Sequence, residues 1–108
     1  MTHLRVKWKH LNPDEPVMLY SELDENRMQH RKIDIFLDGR WGFADEHEEV
    51  GGSGLGEAPT PTVEQLNSDP EYEAEEIEQA EFETLWAARR SARIMTPFPL
   101  NQEDGKAS

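Results

Sequence analysis

The chain has no cysteine. Disulfides, thiolate catalysis and cysteine-held metal are therefore excluded, and the absence fits a reducing compartment. There is no run of roughly 18 apolar residues, the length a membrane-crossing helix needs. The opening residues Met1-Thr2-His3-Leu4-Arg5-Val6-Lys7 lack the apolar centre of a secretory signal. Together these absences predict a cytoplasmic protein. Hydrophobic residues are also scarce, at 35% of 108, so the core of the one domain that fits this length is thin. The most uneven shortage is of positive charge. Residues 41–88 hold fourteen Asp and Glu and no Lys or Arg, whereas residues 1–40 hold seven acids and seven bases. The net charge of the chain is −12. Such a field repels phosphate backbones and anionic lipid, which excludes nucleic acid and membrane surfaces as natural partners. A basic protein is what it attracts.

What is present in the first half is the pattern of strands. In residues 3–10, Leu4, Val6 and Trp8 alternate with Arg5, Lys7 and Lys9, the period of two of a half-buried strand. Asn12 to Pro16 breaks the pattern with two prolines, and Val17 to Leu23, apolar on both sides at its start, reads as an inner strand. Residues 31–37 alternate again and run into Asp38-Gly39, the signal of a tight type I′ hairpin turn, with Trp41 to Ala44 as the returning strand. Two helices are predicted beyond the glycine-rich segment 51–56, which reads as a flexible surface loop. Thr62 and Gln65 have capping-box spacing and open a short helix ending near Asn67. A longer helix spans about residues 79–93, with Phe82, Leu85 and Trp86 on one stripe and Ile77 placed to staple its start. Its acids (Glu78, Glu81, Glu83) precede its bases (Arg89, Arg90, Arg93), as the helix dipole favours. The predicted fold is α+β: a four-stranded antiparallel meander sheet with two C-terminal helices on one face. It forms one domain over residues 1–94, followed by a flexible C-terminal tail over 95–108.

No constellation specifies a reaction. The four histidines (His3, His10, His30, His47) offer no pair at metal-ligand spacing, so no metal and no cofactor is expected. The glycine-rich segment lacks the Lys-Ser/Thr of a phosphate loop, and no serine sits in a nucleophile elbow. The leading functional expectation is a non-catalytic acidic protein-binding domain. Its predicted contacts are Asp45, Glu46, Glu48, Glu49 and Glu57, loop acids beside a sheet edge, with Trp41 as an aromatic that can face outward after the hairpin turn. The alternative is a small enzyme or ligand-binding domain on the exposed sheet face, using His10, Glu15, Tyr20, Glu22 and Arg31. The oligomeric state is left open.

A longer pattern carries a resemblance. Val6-Lys7-Trp8-Lys9-His10, then Glu15-Pro16-Val17-Met18-Leu19-Tyr20-Ser21-Glu22-Leu23-Asp24, then Arg31 to Phe36 with Asp38-Gly39-Arg40, resemble a family of small, uncharacterised bacterial single-domain proteins. The resemblance extends through Pro61 to Asn67 and Glu81-Phe82-Glu83, and so spans residues 4 to 88. It implies a stand-alone domain with no established activity and no assigned catalytic residues. In size and acidity the chain is also similar to immunity proteins that neutralise bacterial toxins, which makes toxin neutralisation the concrete form of the expected binding role.

Overall fold

A computed structural model of the protein describes residues 1–92. Six strands form one sheet: β1 (Thr2–Trp8), β2 (Pro16–Leu23), β3 (Gln29–Phe36), β4 (Trp41–Ala44), β5 (Glu49–Val50) and β6 (Tyr72–Ile77). Two helices, α1 (Val63–Asn67) and α2 (Gln79–Ala92), flank the last strand in sequence. The strand order is β5-β4-β3-β2-β1-β6, and every pairing is antiparallel. The α+β class holds, but the sheet has six strands instead of four. β5 is only two residues long, too short to leave a periodic signal. β6, Tyr-Glu-Ala-Glu-Glu-Ile, is rich in glutamate, a residue that strands disfavour. It forms because its acids meet bases of the neighbouring segment: Arg5 pairs with Glu75, opposite it in the register, and Lys9 pairs with Glu73.

The hairpin between β3 and β4 differs from the predicted type I′ turn. Gly39 alone has positive φ, at 88°, and the amide of Gly39 donates to Phe36 O while the amide of Phe36 donates to Arg40 O. This is a type I turn closed by a glycine bulge, with a loop one residue longer than predicted.

Alternation divides the core between two faces. Tyr20, Ile33, Ile35, Trp41 and Phe43 point to one face and pack with Phe82 of α2, with Leu85, Trp86 and Ile77 completing the contact. Trp41 is therefore a core residue, 4% exposed, and the expectation that it faces outward is corrected. Glu78 O accepts from the amides of Glu81 and Phe82, so the chain enters α2 at the predicted point, with Ile77 held on the core. Leu4, Val6, Val17 and Phe36 are buried on the opposite face.

The β5–β6 connection has to return across the sheet, five strand spacings or roughly 24 Å. It crosses on the face opposite α2. Ser53 Oγ donates to Asp34 Oδ2 at 2.9 Å, and Gly42 approaches Gly51 so closely that a Cβ on Gly42 would lie 2.9 Å from Gly51 O. Farther along, Arg27 Nε donates to Thr60 O at 2.7 Å. The segment predicted as a flexible loop is thus a strap pinned at several points. α1 follows it, opened by the predicted capping box at Thr62 and Gln65. It lies against β6 at the edge of the sheet and does not share the face of α2. The Asn67 side chain accepts from the amide of Ala74 at 2.7 Å and donates to Ala74 O at 2.9 Å, occupying the outer edge of β6 as another strand would. Arg93 and the tail predicted over 95–108 lie outside the described residues.

Candidate functional site

One cluster of charged residues lies at one end of the sheet, beneath α2. His3, Glu22 and Arg31 occupy one row across β1, β2 and β3. Arg31 reaches Glu22 with two parallel bonds, Nε to Oε1 at 2.7 Å and Nη2 to Oε2 at 2.6 Å. The same guanidinium donates to Glu83 of α2 at 3.1 and 2.6 Å and lies over the Phe82 and Trp86 rings. His3 Nε2 stands 3.1 Å from Glu22 Oε2. Hydrogen bonds from Arg31 hold the Glu22 carboxyl below its ordinary value, outweighing the burial that pushes it up. Bonds to Glu22 and Glu83 likewise raise Arg31. Each of these groups takes a partner from the others, so the row clamps the sheet to the helix, and Glu22 and Arg31 also line a shallow cleft of about 280 Å³ with His30, Asp45, Glu46 and His47.

On the strap-covered face, burial pushes Asp34 up despite Lys32 at 3.3 Å and the Ser53 hydroxyl. Its Oδ1 has no partner. This group fastens the strap to the sheet. Among the described residues no set of three His, Asp or Glu could hold a metal ion, and no helix is long and apolar enough to cross a membrane.

The acids of residues 41–88 are less available than their number suggests. Glu48 pairs with Arg90, Glu73 with Lys9, Glu75 and Glu81 with Arg5, and Glu83 with Arg31. Glu71 accepts from the Trp8 indole at 3.2 Å. Asp45 is bound to its own turn: Oδ1 accepts from the amides of His47 and Glu48 at 2.8 and 2.9 Å, and these bonds lower its carboxyl. Of the predicted contacts, Glu46, Glu49 and Glu57 remain exposed, and among the described residues none of the three meets a Lys or Arg. Asp45 and Glu48 are committed locally, and Trp41 is buried.

The alternative set does not assemble either. Glu22 and Arg31 are joined in the clamp, and Tyr20 is buried one row away, its hydroxyl pushed up by that burial. Glu15 is exposed in the β1–β2 connection. The sheet face these residues were expected to share is covered by α2.

His10 belongs to a different place. At the other end of the sheet, the ends of β1 and β2 and the β3–β4 turn enclose a cleft of about 600 Å³, lined by Lys7, Trp8, Lys9, His10, Leu11, Val17, Met18 and Leu37. The Trp8 ring packs edge-on against His10 at 4.4 Å and against Tyr72 at 5.9 Å. The β1–β2 connection is fixed by its own polar groups. The Asn12 amide donates to His10 Nδ1 at 2.9 Å, so the proton sits on Nε2, which donates to Pro16 O at 2.8 Å. Asn12 Oδ1 accepts from the Asp14 amide at 2.9 Å. The wall of the cleft is therefore ordered before anything enters. Leu11 nevertheless stands 86% exposed and Leu37 42% exposed on its rim. Leu37 closes the alternating run of residues 31–37 and Leu11 lies in a connection without periodic signal, and only the tertiary fold brings the two beside Trp8.

Residues 2–91 match the family model of a domain of unknown function, DUF6881, and the chain belongs to that family. The match covers nearly all of the described residues, in line with the uncharacterised family that the sequence resembles. No curated protein and no solved structure is significantly similar to the chain.

Proposed function

As a member of the DUF6881 family, the chain, we propose, is a non-catalytic protein-binding domain whose docking surface is the apolar cleft at the Trp8–Leu37 end of the sheet. One observation carries this reading: two large apolar side chains, Leu11 and Leu37, from separate connections, stand in water on the rim of a preformed cleft. Leaving a leucine exposed forgoes about 1.5–3 kcal/mol of burial. A partner that covers both side chains recovers that energy on docking. Non-catalytic binding is supported by the engagement of Glu22, Arg31 and Glu83 with one another.

A second reading keeps the acidic turn as the contact, with a basic, toxin-like protein as partner and immunity as the role. Exposed Glu46, Glu49 and Glu57 favour it. One experiment separates the two. The full chain, a Leu11→Asp variant and a Glu46→Gln/Glu49→Gln/Glu57→Gln variant are used to co-purify partners from the cells that make the protein, at low and high salt. A partner lost with Leu11→Asp and retained at high salt supports the cleft, since apolar contact is not screened. A basic partner lost with the glutamine variant and with salt supports the acidic turn. Recovery of no partner that depends on either surface overturns both.

A further inference from the structure

The charge of the cleft is opposite to that of the chain. Its charged lining residues are Lys7 and Lys9, with no acid. The carboxylates beside the cleft are engaged, Glu73 by Lys9 at 2.7 Å and Glu71 by the Trp8 indole at 3.2 Å. Lys7, opposite Glu73 in the register, is exposed and makes no ion pair among the described residues. Charges separated by more than a screening length of about 8 Å contribute little at physiological ionic strength. A group entering the cleft therefore senses these neighbours more than the distant acids that make up the net charge.

The shape narrows the occupant further. A small molecule binds well where most of its surface can be enclosed. This cleft is open, and its apolar rim comes from two separate connections, so only something broad enough to lie across both covers it. Strand addition is unavailable there, because β1 is paired with β2 and β6, and β2 with β1 and β3. The occupant must insert side chains, in the manner of a helix or a turn laid into a groove.

We infer that the cleft receives an apolar peptide segment of a partner protein that also carries acidic residues, its apolar side chains against Trp8, Leu11, Met18 and Leu37 and its carboxylates on Lys7 and Lys9. This rests on the docking role proposed above, and it reverses the sign of partner that the composition selects.

The test is a random twelve-residue peptide display library panned on the full-length chain, with counter-selection on Leu11→Asp and Leu37→Asp. The recovered peptides are expected to combine Phe, Leu or Met with Asp or Glu. Synthetic copies should bind at least about tenfold more tightly than versions with the acids changed to Lys, a difference of about 1.4 kcal/mol. Lys7→Gln, a change at an exposed position that sets no like charge opposite Glu73, should reduce that preference while thermal unfolding stays near the wild-type midpoint. Peptides that depend on Leu11 or Leu37 but are neutral or basic overturn the acidic partner and leave the docking cleft standing. Peptides indifferent to both leucine variants, or no enrichment at all, overturn both. Concentration-dependent self-association that disappears in Leu11→Asp assigns the cleft to a second copy and also overturns the inference.

Discussion

The two ends of the sheet use opposite chemistry. At the His3–Glu22–Arg31 end, ionic groups are drawn together against Phe82 and Trp86, each bonded to another. At the Trp8–Leu37 end, a cleft of ordered aromatic and aliphatic groups is left open. Charge at the first end is structural and apolar surface at the second is available, the reverse of the usual assignment of charge to recognition and hydrophobicity to the core. A count of charges along a chain therefore says little about which of them a partner can reach. β1 shows why: Arg5 and Lys9 are the counter-ions of a strand some seventy residues away, supplied through the register of the sheet.

The largest effect expected from breaking this comparison is at the lid of the closed end. Phe82 is fully buried and joins α2 to Tyr20, Ile33 and Phe43. Phe82→Ala should cost about 3–5 kcal/mol, the range for deleting a buried phenyl ring, read as the shift in a denaturant unfolding midpoint. The same variant should leave binding at the open end intact once allowance is made for the unfolded fraction.

Next is the clamp itself. Arg31→Met leaves Glu22, 7% exposed, without its main partner, and should cost about 3 kcal/mol, since an uncompensated buried charge is the expensive outcome. Adding Glu22→Gln to that variant should recover part of the loss, and the double-mutant cycle measures the coupling. The pH dependence follows from the same contact. Arg31 lowers the folded-state value of Glu22 below its ordinary 4.5, so the unfolded chain binds the proton more readily. The contribution to stability is present above the ordinary value and is lost as pH falls through the folded one. Wild-type protein should therefore weaken steadily below about pH 4.5, and Arg31→Met should lose much of that acid sensitivity.

A smaller effect is expected at the edge of β6. Asn67 makes two hydrogen bonds to the backbone of Ala74, and Asn67→Ala should cost about 1–2 kcal/mol, given a net value near 1 kcal/mol for each bond. It also leaves a free strand edge, so self-association on heating should rise, as light scattering would register.

How much of this was legible depends on the distance over which each element is specified. The strands of residues 2–44 follow from alternation, and α2 from the Phe82–Leu85–Trp86 stripe with its staple at Ile77, because local burial decides both. β6 was hidden, since Tyr72 to Ile77 is a poor strand by composition and is made one by Arg5 and Lys9, far away in sequence. The strap read as flexible for the same reason: its glycines allow the close approach to Gly42, but nothing near them in sequence announces Asp34 as the anchor. Of the residues picked out for function, His10 alone proved to line the open cleft. Glu22 and Arg31 stood out as charges among aromatics, which a structural clamp displays as readily as a site. The expectation for Trp41 is reversed: the turn at Gly39 sends it inward, and Trp8, at the end of β1 on the face of Leu4 and Val6, forms the wall of the cleft.

The smallest expected effect on stability is the one that bears most on function. Leu11 lies outside every strand and is 86% exposed, so Leu11→Asp removes almost no folded-state contact and should change stability by less than about 0.5 kcal/mol. In the proposed complex the same substitution places a carboxylate where an apolar contact forms, and beside the partner's own acids. Binding should fall at least about tenfold, or about 1.4 kcal/mol, with the unfolding midpoint unchanged. An equal fall in Phe82→Ala, after correction for folding, would mean that the two ends are coupled and that α2 helps to shape the cleft. No fall in Leu11→Asp would move recognition away from this end of the sheet and back to the exposed glutamates of the β4–β5 turn and the strap.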